Sequence, residues 1–139
     1  MTELKIISLG SSPDRNQRRI WRKIEEDAFK NNPNFVGALG PSGQKDTEKE
    51  FFVLYSNGNP IGRAAATLDR NWIERKKENV GFIDDFAINH EFKDHADLLI
   101  KRCLSILREK KVEGVIVRSN GFVALLEEGY ELLPPIGFP

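Results

Sequence analysis

Two adjacent carboxylates, Asp84 and Asp85, lie inside the largely apolar run from Val80 to Ile88. A carboxylate held on a strand beside a groove is suited to strip a proton from an amine, usually through water, as a general base. Side chains alternate along a strand, so only one of the pair is expected to face such a groove. The reading that competes with this is a strand-end carboxylate that pairs with Arg63 or caps a loop. Other chemistry-bearing residues point to less. His90 and His95 are five apart, off the four-residue spacing that sets two ligands on one helical face. With Asp94 and Asp97 beside them they still form no ligand pattern, so no metal is expected. Cys103 is the single cysteine, so it has no internal partner. Its place on an apolar helix face reads as inert core, and its solitude argues for a reducing compartment. Arg15, Arg18, Arg19, Arg22 and Lys23 form a basic run around Trp21, but Glu25, Glu26 and Asp27 follow at once. That pattern reads as a solvated helix with its own ion pairs.

The elements that must position these residues follow from the spacing of apolar side chains. Residues 4–9 read as a strand. Ser12 as cap and Pro13 as first helical residue predict a helix over 13–30, with Ile20, Ile24 and Ala28 on its inner face. Residues 31–49 read as a long loop. Phe51 to Tyr55 and Ile61 to Leu68 form a hairpin about Asn57-Gly58, where Gly58 suits positive φ. Residues 69–79 are polar and read as a loop, and Val80 to Ile88 as a strand. Asp94 is the expected cap of a helix whose Ala96, Leu99, Ile100, Cys103, Leu104 and Leu107 make an apolar face to about Lys110. Val112 to Val117 then suits a central strand, and Phe122 to Glu128 a short helix. An antiparallel hairpin feeding a strand–helix–strand unit predicts an α/β (α+β) fold, with a mixed sheet and helices on its faces.

The bulk numbers agree with one domain spanning residues 1–139. Hydrophobic residues at 40% and charged residues at 30% can build a core of that size without disulfides. Lys plus Arg equals Asp plus Glu at 21 each, so no global charge draws the chain to nucleic acid or an anionic membrane. No apolar run has the length of a bilayer span, and residues 1–9 lack a signal-peptide core. The expectation is a cytoplasmic protein without nucleic-acid or membrane partners.

Several stretches together resemble the GNAT N-acetyltransferase superfamily. Asn57-Gly58-Asn59-Pro60-Ile61-Gly62-Arg63-Ala64-Ala65-Ala66 is similar to the hairpin of one divergent branch, and Gly81-Phe82-Ile83-Asp84-Asp85-Phe86 to the strand after it. Ala96 to Leu99, Ile106 to Val115, and Leu125 to Tyr130 with Pro134-Pro135 continue the match in order. The resemblance implies a twisted, mostly antiparallel mixed sheet flanked by helices. It also implies transfer of an acyl group from acetyl-CoA or another acyl-CoA to a small-molecule amine or a peptide amine. Asp84 or Asp85 would be the base. The backbone of Phe86, Ala87 and Ile88, with Lys93, Asp94 and His95 at the start of the next helix, would hold the coenzyme.

The chain also departs from the family pattern. With Lys93 in the first position of the phosphate-binding signature, Ala96 and Leu98 stand where glycines are usual, and the segment is about three residues short. Leu126 occupies the position of the usual tyrosine acid. The chain stops at Pro139, where most relatives continue into closing strands, so the tail or a second subunit must cover the sheet edge, and a homodimer is one expectation. These departures keep a second function open: a non-catalytic relative that serves as a ligand-binding or dimerisation module.

Overall fold

The structure is a computed structural model, and it describes residues 3–29, 47–118 and 136–137. In chain order the elements are β1 (Leu4–Gly10), α1 (Arg15–Phe29), β2 (Thr47–Ser56), β3 (Asn59–Asp69), α2 (Arg70–Lys76) and β4 (Val80–Ile88). A 3-10 segment (His90–His95), α3 (Ala96–Glu109), β5 (Gly114–Arg118) and β6 (Ile136–Gly137) follow. The strands form one sheet in the order β1-β2-β3-β4-β5-β6, antiparallel except for the parallel β4–β5 pair. The mixed sheet with flanking helices is the expected fold class.

Alternation along the strands decides the layering. Phe51 and Val53 of β2 join Ala65 and Ala87 under Trp21 and Ile24 of α1. Phe52 and Leu54 point the other way, with Ala64, Ala66, Ile83 and Phe86, under Leu99, Cys103 and Leu107 of α3. Both faces of the central strands are therefore buried, and Phe51, Phe52, Val53 and Leu54 read as one apolar run for that reason. Glycine makes the α3 contact possible. A Cβ on Gly81 would lie 2.6 Å from Leu107 Cδ2, and one on Gly62 would lie 2.9 Å from Leu99 Cδ1. The hairpin turns through Asn57 (φ 50) and Gly58 (φ 84), the two positive-φ positions of a type I′ turn.

Several boundaries differ from the sequence reading: β2 starts at Thr47 instead of Phe51, and β5 covers Gly114–Arg118 instead of Val112–Val117. Helix α1 begins at Arg15, not Pro13, because Asp14 and Gln17 form a capping box: Gln17 N–H donates to Asp14 Oδ1 and Asp14 N–H to Gln17 Oε1, each at 2.8 Å. Residues 70–76, expected as loop, are helical. Asp69 caps α2 by accepting the Trp72 N–H at 3.1 Å, Lys77 ends it in a left-handed conformation (φ 55), and the Trp72 ring meets Phe82 edge-on at 5.4 Å. Asp94 does not cap α3. Asn89 opens the 3-10 segment instead, its side chain accepting the Glu91 N–H at 3.3 Å, and α3 starts at Ala96 without a capping side chain.

At the far edge, β6 pairs Ile136 with Val115 and Gly137 with Gly114. The tail thus supplies part of the edge cover that the sequence left to the tail or a second subunit. The expected helix over 122–128, with Leu126, and the following Tyr130 lie outside the described residues.

Candidate active site

Pairing between β3 and β4 slips by one residue, since Arg63 opposes Ala87 while Ala65 opposes Asp84. Two residues, Asp85 and Phe86, therefore oppose Ala64, and Asp85 takes a left-handed backbone at φ 58. This is a β-bulge, a device that redirects side chains. It also serves the core. Ile83, Phe86 and Ile88 all reach the α3 face, and without the extra residue Phe86 and Ile88 would flip to the other side. The parallel pairing with β5 runs from Val80–Gly114 to Asp84–Arg118, whereas β4 continues four residues further, to Ile88.

The bulge departs from the strict alternation that would send the two aspartate side chains to opposite faces of the sheet. Lys49 Nζ lies 3.6 Å from Asp84 Oδ2 and 3.5 Å from Asp85 Oδ2, so both carboxylates converge on one lysine. The lysine and Asp84 side chains are buried, while Asp85 keeps 24% exposure. Strict alternation failed here because Asp85 is itself a bulge residue, and its left-handed backbone turns its side chain toward that of Asp84. In the competing reading the carboxylate pairs with Arg63; both carboxylates form ion pairs with Lys49, while Arg63 donates to the Asp85 carbonyl and interacts electrostatically with Asp85.

Arg63, on β3, is buried and reaches three groups on two other elements, α1 and β4. Its Nε donates to the Asp85 carbonyl and Nη1 to the Trp21 carbonyl, each at 2.9 Å, and Nη2 lies 3.2 Å from Glu25 Oε1. The guanidinium also stacks over Trp21 at 5.0 Å. Burial pulls it below the ordinary arginine value, against which Glu25 and then Asp85 act. Among the described residues, Glu25 Oε2 and Trp21 Nε1 are buried without a hydrogen-bond partner. Lys49 and Glu25 were missed as site residues. Lys49 was assigned to a loop, although its even spacing from Phe51 and Val53 puts it on their buried face. Glu25 was read as surface, although it follows Trp21 by one helical turn.

The residues expected to hold a coenzyme lie in one stretch. Phe86, Ala87 and Ile88 are buried in β4 beyond the last β5 pair. Lys93 and His95 are half-buried in the 3-10 segment, and Asp94 is exposed. Some amides of this turn are already used: Glu91 N–H by Asn89 Oδ1, Phe92 N–H by the Asn89 carbonyl at 2.8 Å, and Ala96 N–H by the Lys93 carbonyl. The start of α3 carries no capping side chain, and Lys93 and His95 stand in front of it. Glu91, Asp94 and Asp97 flank the same turn, so its charge is mixed.

Lys49 also lines a cavity of about 390 Å³ with Glu48, Glu50, Ala66, Leu68 and Leu107. Hydrogen bonding to Arg70 at 2.7 Å holds the Glu48 carboxyl below its ordinary value. Cys103 is fully buried, and burial pushes its thiol up to about 12. Among the described residues no group of three or more metal-ligating side chains occurs, and no helix is long and apolar enough to cross a membrane.

Comparison with known proteins identifies the family and the fold. The acetyltransferase (GNAT) family model matches residues 11–125. Among solved structures, an aminoglycoside acetyltransferase from an uncultured soil metagenomic sample, in complex with sisomicin, is similar. Its TM-score is 0.60 at 15% identity, over 98% of this chain and 95% of that one. A GNAT-family acetyltransferase from Staphylococcus aureus Mu50 gives a TM-score of 0.60 at 12% identity, over 91% and 79%. A tandem GNAT protein from the clavulanic acid biosynthesis pathway gives 0.59 at 12% identity over 83% of this chain, which spans only 36% of that longer one. No curated protein matches the sequence.

Proposed function

The chain belongs to the acetyltransferase (GNAT) family, and on that premise we propose that it is an acyl-CoA-dependent N-acyltransferase acting on a small amine or a peptide amine. Support comes chiefly from the β4 bulge, which brings Asp84 and Asp85 to one point beside the end of the β4–β5 pairing. Asp85, the more exposed of the two, is the group that receives the acceptor's proton, directly or through water, while Lys49 holds it in place. Lys93, His95 and the start of α3 would grip the coenzyme's diphosphate, and the main chain of Phe86, Ala87 and Ile88 would align its extended arm. The thioester would supply the acyl group: its C–S bond breaks as the C–N bond forms, and the coenzyme leaves as a thiolate that takes a proton from solvent. A cavity of about 390 Å³ next to Lys49 is of a size for a small acceptor. The aminoglycoside acetyltransferase with sisomicin bound is a relative in fold whose ligand is an amine of that kind.

The non-catalytic reading has its own support in the internally satisfied amides of Glu91, Phe92 and Ala96, which leave fewer donors for a diphosphate. Thermal-shift titration with acetyl-CoA and with desulfo-CoA separates the two. A ligand at ~100 times its dissociation constant adds about 2.7 kcal/mol of stability. Binding followed by acetylation of a primary amine that Asp85→Asn abolishes supports the enzyme. Absence of a shift with either compound ends the transferase reading.

A further inference from the structure

Asp85 holds a left-handed backbone, which a non-glycine residue keeps only where its surroundings enforce it. A bulge residue turned this way loses its place in the ladder, and its partly buried carbonyl needs another donor. Arg63 Nε is that donor, at 2.9 Å. The same guanidinium is fixed from behind by the Trp21 carbonyl and by Glu25. Nε, Nη1 and Nη2 each serve a different group, a fork that the point charge of a lysine cannot reproduce. Glu25 is buried with one oxygen on Arg63 and the other without partner among the described residues. A half-satisfied buried carboxylate costs stability, and the counter-charge it gives the buried Arg63 offsets that cost.

We propose that Arg63 is the positioning residue of this site: it locks the β4 bulge so that Asp84 and Asp85 meet at Lys49, and Glu25 of α1 locks Arg63. Helix α1 thereby sets the geometry of the carboxylates through Arg63. The proposal rests on the acyltransferase reading only where catalysis is concerned.

The test uses the full chain, with Arg63→Lys and Glu25→Gln, in amide hydrogen exchange and side-chain NMR. Exchange at Phe86 and Ala87 is expected to quicken about tenfold in Arg63→Lys and less in Glu25→Gln, with the β1–β2 amides unchanged. Nuclear Overhauser contacts from the Lys49 side chain to Asp85 weaken, while the Trp21–Phe51 ring contact persists. Unchanged exchange at 84–87, or quickening spread evenly over β1 and β2, overturns the proposal. If Arg63→Lys does not fold, Glu25→Gln decides by the same criteria. Acetyl-CoA titration of the wild type runs in parallel: failure to bind ends the functional reading, while the exchange and contact data still decide the role of Arg63.

Discussion

Lys49 stands between two carboxylates in a place that water scarcely reaches, and that makes it an energetic hinge of the site. Removing one partner from a buried ion pair typically costs about 3–5 kcal/mol, because the charges left behind lose their compensation. Lys49→Met is therefore expected to lower urea-denaturation stability by an amount of that order, and Asp84→Asn added to it should recover part of the loss. A Lys49→Met protein as stable as wild type would mean that the ion pairs contribute nothing. Cys103 allows a separate residue-scale prediction. Its folded thiol is pushed up to about 12 from 9.0, so the native state holds a proton that the unfolded chain releases. The stability this contributes is complete below 9.0 and is lost as pH rises from 9.0 toward about 12. Cys103→Ala should flatten that part of the pH–stability curve. Native protein at pH 8 should resist iodoacetamide until denaturant is added.

At the scale of elements, what was legible in the sequence depended on whether one signal acted alone. The β2–β3 hairpin was clear because Asn57-Gly58 can supply both positive φ values between two apolar runs. Helix α2 was hidden, since its one cap and one aromatic, Asp69 and Trp72, leave no apolar period. The bulge was visible only in retrospect. Ile83, Phe86 and Ile88 are spaced by three and then two, an irregular step that marks one extra residue in a strand of period two. Helix α3 was the easiest to read and is the easiest to test. Leu99 is fully buried, so Leu99→Ala should cost about 2–5 kcal/mol by chemical denaturation. Gly81→Ala acts from the opposite side of the same contact, forcing a methyl group against Leu107, and should cost about 1–3 kcal/mol. A neutral Gly81→Ala would show that the Leu107 side chain shifts aside without cost. Asp69→Ala should remove about 0.5–2 kcal/mol through the lost α2 cap.

For the molecule as a whole, the order of strands shows why the site sits where it does. Every neighbour pair is antiparallel except β4–β5, so β4 is where the sheet changes direction and where a ligand can lie along a strand end. The bulge, Arg63 and Lys49 all gather on or beside that strand, each from a different element. Such convergence of long-range partners is what spacing along a sequence conveys least. Closure of the sheet follows the same logic at its other limit. β5 leans on β4 on one side and, at Gly114 and Val115, on two residues of the tail on the other. An uncovered strand edge seeks another chain. Deleting residues 136–139 should therefore raise self-association, read as a concentration-dependent rise in sedimentation coefficient, while α3 remains folded. A truncated protein that sediments exactly as the full chain at all concentrations would show that β6 does not guard the edge, and a subunit contact would become the better account of how β5 is covered.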